Sequence, residues 1–314
     1  MTKVTVTGGA GFVGTNLIAH FAEEGGYEVT VMDNESLGAL GDIDAVVSQF
    51  VRGDILDENL LRSTLAGSDV VVHLAGSTRV VESIEDPWPT FETNAIGTFR
   101  VLSACRTVGV GKVLCASTGG AIIGEADGPI HEEIMPRPMA PYGASKLAAE
   151  GYCHAFLGAY GLRASSLRFS NVFGPRSYRK ASVVAHFFRE IIEGRELVVY
   201  GDGNQVRDYV FVGDLVRGIR LAMESDQVGV FQLASGTPTR LLELISAIKE
   251  VVGPDHPVAV RHEPARPGEV FATWCDISKA KEQLGFHPDV PLLNGLRTTW
   301  RWFVDNQEEL KRRR

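Results

Sequence analysis

The first residues that could do chemistry are a tyrosine and a lysine four positions apart, in the stretch Y-G-A-S-K at residues 142–146. Residues at this spacing lie on one face of a helix, so Tyr142 and Lys146 can share a site. A free phenol has a pKa of about 10, but an ammonium about 4 Å away contributes roughly 4 kcal/mol, or about three pKa units. The spacing predicts a tyrosine base, although the same pattern also occurs as a surface pair on amphipathic helices.

A second candidate is the stretch S-T-G-G-A-I-I-G at residues 117–124. It offers the hydroxyls of Ser117 and Thr118, which could bind an alcohol or a cofactor. It carries no carboxylate, and Gly120 and Ala121 cannot act as an acid or a base.

A glycine-rich stretch, T-G-G-A-G-F-V-G, covers residues 7–14. Glycine permits positive φ and lets backbone approach a pyrophosphate, which can then bind at the N-terminus of the following helix. Asp33 comes 19 residues after Gly14 (33 − 14), where a carboxylate can bind an adenosine ribose and repel a 2′-phosphate. The sequence therefore predicts NAD rather than NADP, bound in part by Gly8, Gly11, Phe12, Val13 and Asp33.

Strands alternate with helices in the segments that must position these residues, and this alternation predicts a doubly wound, parallel α/β sheet. Predicted strands are Val4–Val6, Tyr27–Met32, Gln49–Arg52, Asp69–Leu74, Lys112–Ala116, Leu162–Arg168, Leu197–Tyr200 and Val258–Arg261. Predicted helices are Phe12–Glu24, Phe91–Val108, one that begins near Tyr142, Ala181–Glu193, Leu241–Val252 and Leu292–Asn306. After residue 175 the alternation loosens, which favours a smaller substrate lobe.

Ligands of open α/β sheets bind beyond the carboxyl ends of the strands. Further cofactor contacts are therefore expected at Asn34, Asp54, Ile55, Leu74, Ala75, Gly76 and Asn94. Two of them have plain structural alternatives: Asp54 could be a helix N-cap or a turn residue, and Asn94 could bridge backbone groups.

Composition narrows the class of protein. The 314 residues carry a formal net charge of −8, which argues against a nucleic-acid surface. No apolar run approaches the roughly 20 residues that span a bilayer, and the N-terminus enters a strand at once, so a cytoplasmic protein is expected. The four cysteines lack metal-type spacing, which favours isolated thiols and no metal site.

From Lys3 to about Asp305 the chain resembles the extended short-chain dehydrogenases/reductases, in the branch of nucleotide-sugar epimerases and dehydratases. The matching stretches are T-G-G-A-G-F-V-G, M-D-N, G-D-I, H-L-A-G, N-A-I-G-T, S-T-G-G, Y-G-A-S-K, L-R-F-S-N-V-F-G-P-R, Y-G-D-G-N-Q-V-R-D-Y-V-F-V-G-D, P-A-R-P-G-E and W-C-D-I-S-K-A-K-E-Q-L-G-F. The resemblance implies a Rossmann-type NAD domain at residues 1–170, completed by segments around 205–232. Residues 171–314 would form a smaller α/β lobe for a UDP-sugar, and the family expectation is a homodimer.

The resemblance also implies substrate residues. Asn171, Arg207 and Arg266 would bind the diphosphate, because guanidinium groups bind phosphate in forked, charge-assisted geometry. Each arginine taken alone is more often a surface or salt-bridge residue. Thr78 and Thr118 would contact the sugar, with Tyr142 as base, Lys146 on the nicotinamide ribose and Ser117 near the nicotinamide.

Thr273 aligns with a position that is often tyrosine in relatives restricted to glucose and galactose. A smaller residue there is associated with N-acetylhexosamines, although Thr273 could simply pack beside Trp274. The resemblance assigns Asp208 and Asp214 to structural hydrogen bonding.

The residues at the positions of Gly120 and Ala121 distinguish the activities within this branch, and here neither of them is an acid. Sugar 4,6-dehydratases of the branch usually carry an Asp-Glu pair there, and decarboxylases usually keep a glutamate. A hydroxyl, a phenolate and NAD suffice for 4-epimerisation of a UDP-hexose of the glucose/galactose type. UDP-glucuronate or another nucleotide sugar is an alternative substrate. The alternative functions are those of a dehydratase, a reductase or a non-catalytic NAD-binding regulator.

Overall fold

A computed structural model describes residues 1–43, 47–265 and 270–308. The strands are β1 (Thr2–Thr7), β2 (Tyr27–Asp33), β3 (Gln49–Arg52), β4 (Val70–His73), β5 (Lys112–Thr118), β6 (Arg163–Phe169), β7 (Asn171–Phe173), β8 (Leu197–Tyr200), β9 (Val206–Phe211), β10 (Val230–Leu233), β11 (Pro238–Arg240), β12 (Val260–Glu263) and β13 (Ala272–Thr273).

The α-helices are α1 (Phe12–Glu24), α2 (Glu58–Leu65), α3 (Val80–Glu85), α4 (Pro87–Phe91), α5 (Gly97–Val108), α6 (Gly120–Ile123), α7 (Pro141–Tyr160), α8 (Val183–Ile192), α9 (Val212–Glu224), α10 (Leu241–Val252), α11 (Ser278–Leu284) and α12 (Leu292–Asp305). None of the helices in the described ranges has the length and apolar character needed to cross a bilayer.

Seven strands form one parallel sheet in the order β3-β2-β1-β4-β5-β6-β10. The order reverses between β1 and β4, and ligands of open α/β sheets bind at such a point. The predicted fold class, a Rossmann-type doubly wound sheet, is confirmed. Its seventh strand, β10, comes from the second half of the chain.

Both faces of this sheet are covered, which explains why its strands are nearly continuously apolar. One face packs on α1 and α9 through a core that includes Val6, Leu17 and Ile219. The other face packs on α2, α5 and α7 through a core that includes Val71, Val101 and Phe156.

A smaller region is built from the short sheets β11-β9-β13, with β7 on β9, and β12-β8. Its own apolar core joins α8, α10 and α12 through Phe188, Leu244 and Phe303. Asn171 begins β7 two residues after β6 ends at Phe169, and Thr273, the last residue of β13, lies near Gly120, which follows β5.

The predicted helix Phe91–Val108 is wrong in one respect, because the structure divides it. Residues Glu92–Ile96 form a π-helical turn between α4 and α5. Such turns are rare and occur often at functional sites. This one contains Asn94, whose side chain is 1% exposed.

Candidate active site

The glycine-rich loop lies against the loop that follows β4. Gly8 has a φ of +71°, and a Cβ there would come within 2.5 Å of the Ala75 backbone nitrogen. A Cβ on Gly14 would come within 2.5 Å of the Gly9 carbonyl oxygen. Helix α1 begins at Phe12 with Gly11 as an N-cap that has no side chain, so its first-turn amides point toward this loop. This backbone fits a dinucleotide pyrophosphate.

Asp33, at the end of β2, lies beside the loop and is 9% exposed. One carboxylate oxygen accepts the Ala10 amide at 2.9 Å and the other accepts the Glu35 amide at 2.7 Å. Burial raises the pKa of this carboxyl, and the two amide bonds oppose that rise. A carboxylate oxygen accepts more than one hydrogen bond, so Asp33 can still bind ribose hydroxyls.

The next two predicted cofactor residues bond to each other. The Asn34 amide donates to Asp54 at 2.8 Å, and Asp54 also accepts the Leu56 amide at 2.9 Å. The turn alternative for Asp54 is therefore realised, while the N-cap of α2 is Asp57. Ile55 is 5% exposed and lies in the core, so its side chain faces away from the site. Leu74 is half-buried after β4.

Asn94 fixes the loop after β4 rather than presenting free polar atoms. Its side-chain oxygen accepts the Ser77 amide at 2.8 Å, and its amide nitrogen donates to the Ser77 carbonyl and the Ser145 hydroxyl, both at 3.0 Å. The bridging alternative is what the structure shows. Gly76 lies between this side chain and Lys146, since a Cβ on Gly76 would be 2.9 Å from the Asn94 oxygen and 3.1 Å from Nζ of Lys146.

Tyr142 is buried, and its phenol lies beside the Thr118 hydroxyl. Burial raises the pKa of Tyr142 to about 12, and the neighbouring Thr118 hydroxyl opposes the rise. The ammonium of Lys146 donates to the Ala116 carbonyl at 3.0 Å, and burial lowers its pKa to about 8. The predicted lowering of the tyrosine pKa by Lys146 is therefore wrong for this arrangement, because burial dominates.

Close packing places the first turn of α7. A Cβ on Gly143 would come within 2.0 Å of the Ala121 carbonyl oxygen in α6, so only glycine fits without a shift. The Tyr142 amide donates to the Ser83 hydroxyl of α3 at 3.2 Å. These contacts hold Tyr142 at the end of β5, beside Thr118.

Two charged residues near Ser117 were not identified from the sequence. The Ser117 hydroxyl donates to Glu150 at 2.6 Å, and Glu150 forms a forked ion pair with Arg168 at 2.9 and 2.8 Å. Glu150 lies four residues after Lys146, so the helical spacing could have pointed to it. The contact of Ser117 with the nicotinamide stays a prediction.

On the substrate side, Thr273 faces the S-T-G-G loop. A Cβ on Gly120 would be 3.5 Å from Cγ2 of Thr273, which is ordinary contact distance. Thr273 is also the register partner of Arg207 on β9. The structure thus places Thr273, the last residue of β13, near Gly120 of the S-T-G-G loop and opposite Arg207 on β9.

The other substrate candidates are more dispersed. Arg207 donates to the carbonyls of Val206 and Phe271 at 2.8 and 3.1 Å. Asn171 is exposed and donates to the Asp208 carbonyl at 3.2 Å. Thr78 is exposed just after the Ser77 loop. Arg266 lies outside the described residues.

The structural role expected for two aspartates is confirmed. Asp208 is 1% exposed and accepts bonds from Ser170, from the amide and hydroxyl of Ser235, and from the amides of Gly236 and Cys275. Asp214 accepts bonds from Arg217 and from the amides of Asp289 and Val290. The four cysteines are buried free thiols, as expected.

The fold and the site are those of an NAD-binding enzyme that acts on nucleotide sugars, and comparison with known proteins supports this class. A profile of the NAD dependent epimerase/dehydratase family matches residues 4–234. The chain belongs to this family, and NAD is its cofactor.

Three solved structures are similar along nearly the whole chain. UDP-glucose 4-epimerase of Thermotoga maritima, solved with UDP-glucose, is 37% identical with a TM-score of 0.91, covering 98% of this chain and 100% of the other. UDP-N-acetylglucosamine 4-epimerase of Methanobrevibacter ruminantium is 30% identical with a TM-score of 0.91, covering 97% and 99%. UDP-glucuronic acid 4-epimerase of Bacillus cereus, solved with UDP-glucuronic acid and NAD, is 30% identical with a TM-score of 0.90, covering 97% and 99%. These relatives are nucleotide-sugar 4-epimerases, which are isomerases.

Proposed function

We propose that this enzyme catalyses NAD-dependent 4-epimerisation of a UDP-hexose of the glucose/galactose type, by transient oxidation at C4. The observation that carries the proposal is that the Thr118 hydroxyl lies beside the Tyr142 phenol, in a loop that has Gly120 and Ala121 where an eliminating enzyme needs an acid. A hydroxyl and a phenol can bind an alcohol and move its proton, but they do not expel a second hydroxyl.

Bound NAD supplies the group that accepts a hydride from C4 and returns it. Tyr142 takes the proton of the 4-hydroxyl and gives it back, and Thr118 orients that hydroxyl. Because burial raises the pKa of Tyr142, the proton transfer requires positive charge nearby, which the nicotinamide of bound NAD would supply. Lys146, buried on the same helix face, would bind the nicotinamide ribose.

The nucleotide end of the substrate would provide most of the binding. Asn171 and Arg207, on neighbouring strands β7 and β9, together with Arg266, would bind the diphosphate. A tether at the diphosphate with few contacts to the sugar lets the 4-keto intermediate turn over and accept the hydride on its other face. Thr78 and Thr273 would border the sugar.

The substituents at C2 and C6 define the finer specificity. A threonine at position 273, in contact range of Gly120, leaves room that a larger side chain would fill, which supports acceptance of an acetamido group at C2. UDP-glucuronate is the second candidate substrate, because a solved structure 30% identical to this chain is a UDP-glucuronic acid 4-epimerase.

We also propose a homodimer in the cytoplasm, with the NAD domain at residues 1–170, completed by segments around 205–232, and the UDP-sugar lobe formed mainly by residues 171–314. Support for the dimer is an aromatic surface on α5 and α7. Phe99 and Tyr152 are each 42% exposed with ring centroids 5.2 Å apart, and Tyr160 is 52% exposed beside Phe156. Light scattering on the purified protein tests the dimer, and a monomer would contradict it.

The proposed activity is tested by mass spectrometry of the small molecules that copurify, followed by incubation with UDP-glucose, UDP-galactose, UDP-glucuronate and UDP-N-acetylglucosamine. We expect bound NAD and interconversion of C4 epimers without net reduction of cofactor. Stoichiometric accumulation of reduced nicotinamide would indicate a dehydrogenase or reductase. A protein that holds NAD and converts no sugar would be the regulator.

A further inference from the structure

Three successive turns of α7 each face one of the last three residues of β5. Tyr142 lies beside the Thr118 hydroxyl, Lys146 donates to the Ala116 carbonyl and Glu150 accepts from the Ser117 hydroxyl. The first two contacts involve residues of the proposed reaction. The third involves a carboxylate to which the chemistry assigns no role.

Arg168 on β6 holds the Glu150 carboxylate in place. Both its oxygens accept from Arg168, at 2.9 Å from Nε and 2.8 Å from Nη2, and the two side chains are 6% and 3% exposed. Arg168 is the register partner of Ser117 on β5 and of Gln232 on β10. The ion pair of Glu150 with Arg168 therefore joins α7 to β6, and the bond of Glu150 with Ser117 joins α7 to β5 at the start of the S-T-G-G loop.

This network is not arranged for greatest stability. Arg168 Nη1 and both polar atoms of the Gln232 side chain are buried without hydrogen-bond partners in the described structure. A buried polar atom without a partner destabilises the folded state, because it has lost its hydrogen bonds to water. Apolar residues of similar volume often replace a buried ion pair without loss of stability. A role in orientation accounts for the pair better than a role in stability does.

We propose that Glu150, braced by Arg168, is a positioning residue for the reaction: it fixes Ser117 and thereby sets the alignment of Thr118 with Tyr142. The proposal rests on the proposed 4-epimerase function. Gln232, the register partner of Arg168 on β10, also lies close to the loop, because its side-chain oxygen would be 2.7 Å from a Cβ on Gly119, the residue after Thr118.

The test is a double variant, Glu150→Leu with Arg168→Met, which replaces the pair by apolar side chains. We expect a folded protein whose Tm equals or exceeds that of the wild type. Its kcat should fall about 10- to 100-fold, because small misplacements of catalytic groups are costly, while KM for the nucleotide sugar changes little. The Glu150 carboxylate also raises the pKa of Lys146, so the alkaline limb of the kcat profile should move to lower pH.

A folded double variant with kcat within about twofold of the wild type would overturn the proposal, since a change that small lies well below the cost of misplaced groups. Should the double variant not fold, Ser117→Ala breaks the same connection and leaves the ion pair intact, and the same loss of kcat is expected. Asp214→Asn, at a buried carboxylate paired with Arg217, is the control and should lower Tm without changing kcat. A wild type inactive on every nucleotide sugar would refute the epimerase function instead.

Discussion

Thr118, the last residue of β5, lies beside Tyr142 in the first turn of α7, and its hydroxyl opposes the effect of burial, which raises the pKa of Tyr142 to about 12. The two side chains that the proposed reaction uses therefore come from the carboxyl end of a central strand and from the first turn of a helix packed beside it.

Replacing Tyr142 by phenylalanine removes the base but keeps the ring. We expect Tyr142→Phe to fold and retain NAD while kcat falls by at least about 10²-fold, the lower range for loss of a general base. Tyr152→Phe, on the same helix and 42% exposed, is the matched control and should keep wild-type kcat. Near-wild-type turnover by Tyr142→Phe would contradict the mechanism.

The second prediction concerns pH. Burial lowers the pKa of Lys146 to about 8, so this side chain loses its proton and its charge as the pH rises through that value. If the ammonium is needed, kcat should decline above about pH 8. In Lys146→Arg the charge persists to high pH, so the remaining activity should show no such decline. A wild-type profile that stays flat well above pH 8 would exclude Lys146 as the required cation.

Two glycines of α7 give a matched pair of substitutions. Gly143→Ala should lower both Tm and kcat, because its Cβ would come within 2.0 Å of the Ala121 carbonyl oxygen and push Tyr142 away from Thr118. Gly151→Ala meets nothing within 4 Å and should stabilise the helix by about 0.5–1 kcal/mol with unchanged kcat. Equal effects of the two substitutions on kcat would show that the approach of α6 and α7 does not position Tyr142.

Asp33 is expected to set cofactor preference through its negative charge beside the ribose site. In Asp33→Asn the ratio of NADP to NAD affinity should rise about tenfold or more, because like charges in contact cost at least about 1.4 kcal/mol. Tm should also fall, since the carboxylate accepts the Ala10 and Glu35 amides. Asp57→Asn retains an N-cap for α2 and is the control. Equal binding of NAD and NADP by the wild type would refute this role.

Sequence reasoning was most successful where local pattern decides structure. The bounds of α1, β3, β8 and α10 were predicted to the residue, and the doubly wound, parallel class of sheet followed from the alternation of strands and helices. Strand β10 completes that sheet from a distant part of the chain, and local pattern carries no information on such pairing. The π-helical turn at Asn94 was predicted as part of an ordinary helix, because the local sequence pattern does not distinguish a π-turn from an α-helix.

The site was predictable as a set of motifs but not as a set of contacts. Tyr142, Thr118 and Lys146 were identified from their types and spacing. The dominance of burial over charge in the pKa of Tyr142 depends on how closely α7 packs, which the spacing does not reveal. Glu150 and Arg168 were missed because their relationship is a contact between a helix and a strand 18 residues apart.

Thr273 is expected to determine which group at C2 can enter. Thr273→Tyr should suppress the reaction of a UDP-N-acetylhexosamine about 10- to 100-fold relative to the plain UDP-hexose, because a phenol fills the space beside Gly120 and overpacking costs about 1–3 kcal/mol. Thr273→Val keeps the volume and is the control. An unchanged ratio of kcat/KM for the two sugars in Thr273→Tyr would show that Thr273 only packs beside Trp274.

The most direct test of transient oxidation at C4 uses UDP-glucose deuterated at that carbon. The labelled sugar is incubated with the purified enzyme and no added cofactor. Transient oxidation at C4 predicts UDP-galactose that keeps the deuterium at C4, with no net reduced nicotinamide. NMR of the product decides the outcome. Loss of the deuterium to solvent, or a 4-keto-6-deoxy sugar in place of the epimer, would contradict the account.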